Sequence, residues 1–93
     1  VTDTRHLWQA LDVASKLVES RDQAVALFGN RYAERIKPYR DAIRLGVKKT
    51  RRSVARVLID SVNELENVGK ADSVSVLMLC AAACDELESE GES

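Results

Sequence analysis

Leu7, Leu11, Ala14, Val18, Val25, Phe28 and Tyr32 recur along the first third of the chain at steps of four, three or seven, with Arg21 interrupting the series. Such spacing keeps one side of an α-helix turned toward the same neighbour, and it predicts a first helix with a heptad-like seam. Asp3 or Thr4 is suited to cap its start. Ser20-Arg21-Asp22-Gln23 carries the Ser-x-x-Gln pattern of a capping box, so a restart is expected there. Gly29 and Asn30 tolerate the left-handed backbone that closes helices and mark the end.

Arg31 to Lys37 reads as a short helical piece. Pro38 then fits the first position of a new helix, where its missing N–H is harmless. From Tyr39 onward the apolar positions Ile43, Val47, Val54, Val57, Leu58, Val62 and Leu65 predict one helix to about Asn67. Its weak point is Gly46, since a helical Gly costs about 1 kcal/mol relative to Ala. A straight helix over residues 39–66 is about 42 Å long. A compact domain of this size is only about 32 Å across. Either the helix breaks at Gly46 or a second chain covers the overhang, and the second solution is the expectation carried forward. Gly69 closes the segment, Asp72 or Ser73 caps a last helix over residues 74–88, and residues 89–93 are expected to fray.

The last helix has two apolar faces. Val74, Leu77, Ala81, Cys84 and Leu87 form one, and Val76, Leu79, Cys80 and Ala83 form the other. Apolar positions over more than half the circumference require burial on both sides. A single four-helix core meets that requirement, and so does a fold on one side with a sister chain on the other. The expected architecture is therefore all-α: a small bundle of three to four helices with a long central helix, dimeric, over residues 1–93 as one domain.

Composition agrees with a helical chain. Among 93 residues there is one proline and four glycines, and the aromatics are one Trp, one Phe and two Tyr, so the core must rest on Leu, Val, Ile and Ala. No apolar run approaches the roughly 20 residues of a membrane helix, and no signal-peptide pattern opens the chain. Two cysteines four apart on one helix do not resemble a secreted disulfide framework. No membrane association is expected, and the expected location is the cytoplasm.

Charge changes the picture more. The net charge of −1 hides a strong segregation. Residues 31–56 carry ten bases and two acids, giving +8, whereas residues 57–93 carry one base and nine acids, giving −8. Such a field favours contact between the two segments, within one chain or across a dimer, or separate basic and acidic faces for partners.

Chemistry is sparse. His6 is the only histidine and reads as a surface or partly packed side chain rather than a general base. Asp85, Glu86, Glu88, Glu90 and Glu92 read as a solvated charge run. Cys80 and Cys84 lie beside Ala81, Ala82 and Ala83 and read as small buried hydrophobes rather than metal ligands. No phosphate-binding loop and no nucleophile elbow occurs. No enzyme activity, cofactor or metal is expected.

In a continuous helix, Arg40, Arg44, Lys48, Arg52 and Arg56 form an i, i+4 basic row, a ridge suited to neutralising phosphates. Ala42-Ile43-Arg44-Leu45-Gly46-Val47 followed by Ser53-Val54-Ala55-Arg56-Val57-Leu58 resembles the helix-turn-helix signature of bacterial repressors. The resemblance implies that Ala42 packs the two helices together and that Lys48, Lys49, Thr50, Arg51, Arg52, Ser53 and Arg56 face DNA. The second block comes two residues late, which puts Arg52 where the family has an aliphatic core plug.

Taken together, the residues point first to a small non-enzymatic regulator that binds a larger protein, such as a transcriptional regulator, through helix faces. An antiactivator or inhibitor working by steric cover, with charge steering the encounter, fits this size. Trp8, Leu11, Val18, Phe28 and Tyr32, or the apolar side that includes Val74 and Leu77, are the expected contact carriers, with a homodimer as the working unit. The alternative is DNA binding over residues 42–58 through Arg44, Lys48, Lys49, Arg51, Arg52 and Arg56.

Overall fold

The computed structural model describes residues 5, 9, 11–13, 16, 21–45, 48 and 50–91, and among them every regular element is helical. Residues 5, 9, 11–13 and 16 are in helix. They are followed by α1 (Arg21–Phe28), a 3-10 turn (Gly29–Arg31), α2 (Tyr32–Arg44), α3 (Arg51–Asn67) and α4 (Ser73–Gly91). Asp3, Thr4 and Ser20, the expected caps of the first segment, lie outside the described residues.

Helix ends follow local chemistry. Gly29 has φ of 73° and Gly69 of 72°, a conformation that a Cβ penalises. At Gly69 the Lys70 N–H donates to the Leu65 carbonyl at 2.8 Å and the Gly69 N–H to Glu66 at 3.0 Å. This double bond pattern is a Schellman close of α3. Thr50 caps α3, its hydroxyl oxygen accepting the Ser53 N–H at 3.1 Å. Asp72 caps α4, accepting the Ser75 N–H at 2.6 Å, and those bonds hold its carboxyl below the usual carboxylate range. The last helix runs to Gly91 rather than ending near Glu88.

Two sequence expectations are corrected. Pro38 does not open a helix but lies inside α2. An interior proline costs about 3 kcal/mol, while each fully buried Ile returns about 1.5–3 kcal/mol. Ile36 and Ile43, both with almost no exposed surface, lie on either side of it in sequence. Their burial keeps the helix intact. The single long helix over residues 39–67 is not formed. Leu45 leaves helical space with ψ of 76°, and Thr50 is extended with ψ of 155°. Two helices of 13 and 17 residues take its place. At about 1.5 Å per residue they are about 20 and 26 Å long, shorter than the molecule's longest extent of 41 Å, so no second chain is needed to cover an overhang.

α4 is the hub. It packs most extensively on α2, then on α3, and also on α1. Residues 78–83 of α4 are all buried, and the core joins them to Ala24, Ile36, Ile43, Val54 and Leu58. Small side chains at 80–83 let neighbouring helices approach from two sides, so the chain's own helices cover both apolar faces over this stretch. Leu11, from the N-terminal helical segment, closes a second cluster with Ala55, Ile59 and Leu87. Among the described residues, no helix is long and apolar enough to cross a membrane.

Candidate partner-binding surface

The acidic end of α4 is the largest departure from the sequence reading. Asp85 is 7% exposed and Glu86 0%, so these two are not part of a solvated run. Glu86 continues the buried row of Leu79, Ala82 and Ala83 at steps of three and four. Arg44 Nε donates to its Oε1 at 2.8 Å and Arg40 Nε to the same oxygen at 3.3 Å. Asp85 accepts the Tyr32 hydroxyl at 3.0 Å. The basic and acidic segments therefore meet within one chain. A hint was present in the sequence: Glu86 falls three and four residues after Ala83 and Ala82, on the face that the small apolar residues of this helix bury.

That contact dissolves the continuous basic row. Arg40 and Arg44 belong to α2 and turn toward Glu86. Arg51 Nη2 donates to Asp12 Oδ1 at 2.7 Å, tying the N-terminal segment to the start of α3. Lys48, Arg52 and Arg56 are exposed, and Lys49 lies outside the described residues. Ala42 is exposed rather than wedged between two helices, so the packing implied by the helix-turn-helix resemblance is not made. Arg52 likewise points to solvent instead of plugging a core. Val54, Ala55 and Leu58 fill that role.

Among the described residues, the expected protein-contact residues differ widely in exposure. Trp8 and Val18 lie outside the described residues, as does His6. Leu11 is fully buried. Phe28 and Tyr32 are half-buried and stack at 6.1 Å between ring centres. Leu77 packs against the core. Val74 remains accessible, at 46% exposure.

Cys80 sits in the core. Burial, with Cys84 nearby, pushes its thiol up to about 11. It keeps its proton at neutral pH and behaves as an apolar group rather than a nucleophile.

An open pocket of about 310 Å³ lies where α2, α3 and α4 meet, lined by Tyr39, Ser61, Glu64, Leu65, Val68 and Leu79. Tyr39 comes from the middle of α2, and Ser61, Glu64 and Leu65 from the second half of α3. Val68, at the C-cap of α3, is 63% exposed. No sequence feature marked these six as a group, since they come together only after the chain breaks at residues 45–50. The chain matches no family model, no curated protein and no solved structure.

Proposed function

We propose that this protein is a small non-enzymatic regulator that acts by binding a larger protein, a transcriptional regulator being a representative target. The pocket between α2, α3 and α4 receives an apolar side chain from a helix of that partner. The open apolar pocket is the observation that carries this reading. Buried in it, one Leu- or Phe-sized side chain contributes about 1.5–3 kcal/mol. A micromolar complex requires about 8 kcal/mol, so flanking contacts are needed. Val68 and Val74, exposed at either end of the α3–α4 connection, offer apolar area. The mechanism is steric: a seated helix is denied to its other partners.

DNA binding draws less support, because Arg44 and Arg51 are engaged with Glu86 and Asp12 and Ala42 makes no helix–helix contact of the expected kind. Photo-cross-linking from position 68 in the native host, with position 41 on the exposed side of α2 as control, tests the protein-binding reading. One defined larger protein is expected from position 68 and not from 41. Equal labelling from both positions, or none from 68, overturns it.

A further inference from the structure

α3 carries its charges against its own field. A helix is positive at its N-terminus and negative at its C-terminus, which favours acids early and bases late. α2 obeys, with Glu34 in its first turn and Arg44 in its last. α3 has no acid in its first turn and no base in its last; Arg51 and Arg52 open it, and Glu64 and Glu66 lie near its end.

The inversion is sharpest along one exposed row, Arg52, Arg56, Asp60 and Glu64, spaced by four residues. Two like pairs occur at i, i+4, Arg52 with Arg56 and Asp60 with Glu64, and each repels. Among the described residues none of the four has an ion-pair partner within the chain. Within the chain the row opposes the dipole of α3 and sets two repelling pairs against one attractive pair, Arg56 with Asp60.

A second copy laid antiparallel removes both conflicts. In an antiparallel pair, positions whose numbers share one total face each other, and 52 with 64 has the same total as 56 with 60. One register therefore sets Arg52 against Glu64 and Arg56 against Asp60. A two-fold axis repeats both pairs and places each helix N-terminus beside the other's C-terminus. Self-complementarity of this kind is what a two-fold homodimer interface requires. Half-buried Ile59 and Val57 flank the row on opposite sides and provide apolar contact.

We propose that α3 is a homodimer face, packed antiparallel on α3 of a second copy, with Arg52 on that copy's Glu64 and Arg56 on its Asp60. A nucleic acid fits the row poorly, because Asp60 and Glu64 would meet the same phosphates that Arg52 and Arg56 attract. The interface goes beyond the pocket reading and does not rest on it.

Sedimentation equilibrium tests it with two double variants. R52E/R56E makes the row wholly acidic, and D60K/E64K makes it wholly basic. In about 20 mM salt, where screening is weak, the wild type is expected at twice the chain mass, moving toward the chain mass in about 0.5 M salt. Each variant alone is expected at the chain mass. Their equimolar mixture is expected to restore the doubled mass, binding at least roughly tenfold tighter than either variant binds itself. The restored mixture also shows that both variants fold. A wild type that stays at the chain mass in low salt overturns the proposal. So does a dimer that both variants leave intact, or a mixture that does not associate. A monomeric wild type that shifts duplex DNA, with the shift lost in R52E/R56E, overturns it in favour of nucleic acid. Glu64 belongs to both the row and the pocket wall and Val68 lies one step of four beyond it, so products from position 68 are separated by mass: twice the chain mass reports on this interface, and a larger defined protein on the pocket.

Discussion

Arg44 Nε lies 2.8 Å from Glu86 Oε1, joining the last turn of α2 to a carboxylate that has no exposed surface. The two ends of this pair differ in their options. The Arg44 side chain is 45% exposed and that of Arg40 28%, so either guanidinium can turn to water if the acid is removed. Glu86 cannot.

The asymmetry predicts unequal costs. R40A/R44A leaves a buried carboxylate without either guanidinium and is expected to destabilise the fold by about 3–5 kcal/mol. Glu86→Met replaces the charge with an apolar side chain of similar length and is expected to cost under about 1 kcal/mol. Urea midpoints at constant slope measure both. Equal losses in the two variants would show that Glu86 is not held by this pair.

The acidic end of α4 also shows what a linear reading misses. Five acids in eight residues look solvated when counted along the chain, yet Asp85 and Glu86 occupy positions that continue the apolar faces. Periodicity outweighs local composition here because the facing helix supplies Tyr32, Arg40 and Arg44. The opposite error befell residues 39–67, where periodic apolar positions ran on through a break. The spacing of Ile43, Val47 and Val54 suits one helix as well as two, and only Thr50, with its oxygen on the Ser53 N–H, marks the restart. The closures at Gly29 and Gly69 and the Asp72 cap were legible because each depends on one residue and its immediate neighbours. The pocket was not, because its six residues span three helices whose meeting depends on that break.

Asp72 offers a pH signature. The Ser75 backbone N–H, then the Ser75 side chain, favour its charged form and lower its pKa below the ordinary carboxylate value. A lowered folded-state value means that the unfolded chain takes up the proton first as pH falls. The stabilisation is complete above the unfolded value and is lost as pH drops through the folded one. Asp72→Asn retains a capping oxygen without the charge. Near neutral pH it is expected to stay closer to wild type than Asp72→Ala, and below about pH 4 its urea midpoint should fall less steeply than that of wild type. Parallel midpoint-versus-pH curves for wild type and Asp72→Asn would rule out the cap as the source of the acid sensitivity.

Ala82 tests the close approach on which the bundle depends. It is 0% exposed, within a core that draws on α1, α2, α3 and α4. Ala82→Leu adds three carbons at a fully buried position, so neighbouring helices must separate or side chains must leave their rotamers, at a cost of about 1–3 kcal/mol. For a domain of this size each kcal/mol moves the melting temperature by about 4–8 °C. Val74→Leu, which adds one carbon at a site that is 46% exposed, is expected to stay within about 0.5 kcal/mol. Thermal melts of Ala82→Leu and Val74→Leu, followed by far-UV circular dichroism, separate the two cases. If both variants melt with the wild type, α4 does not require a small residue at position 82, and the covering of both its faces by one chain loses its physical basis.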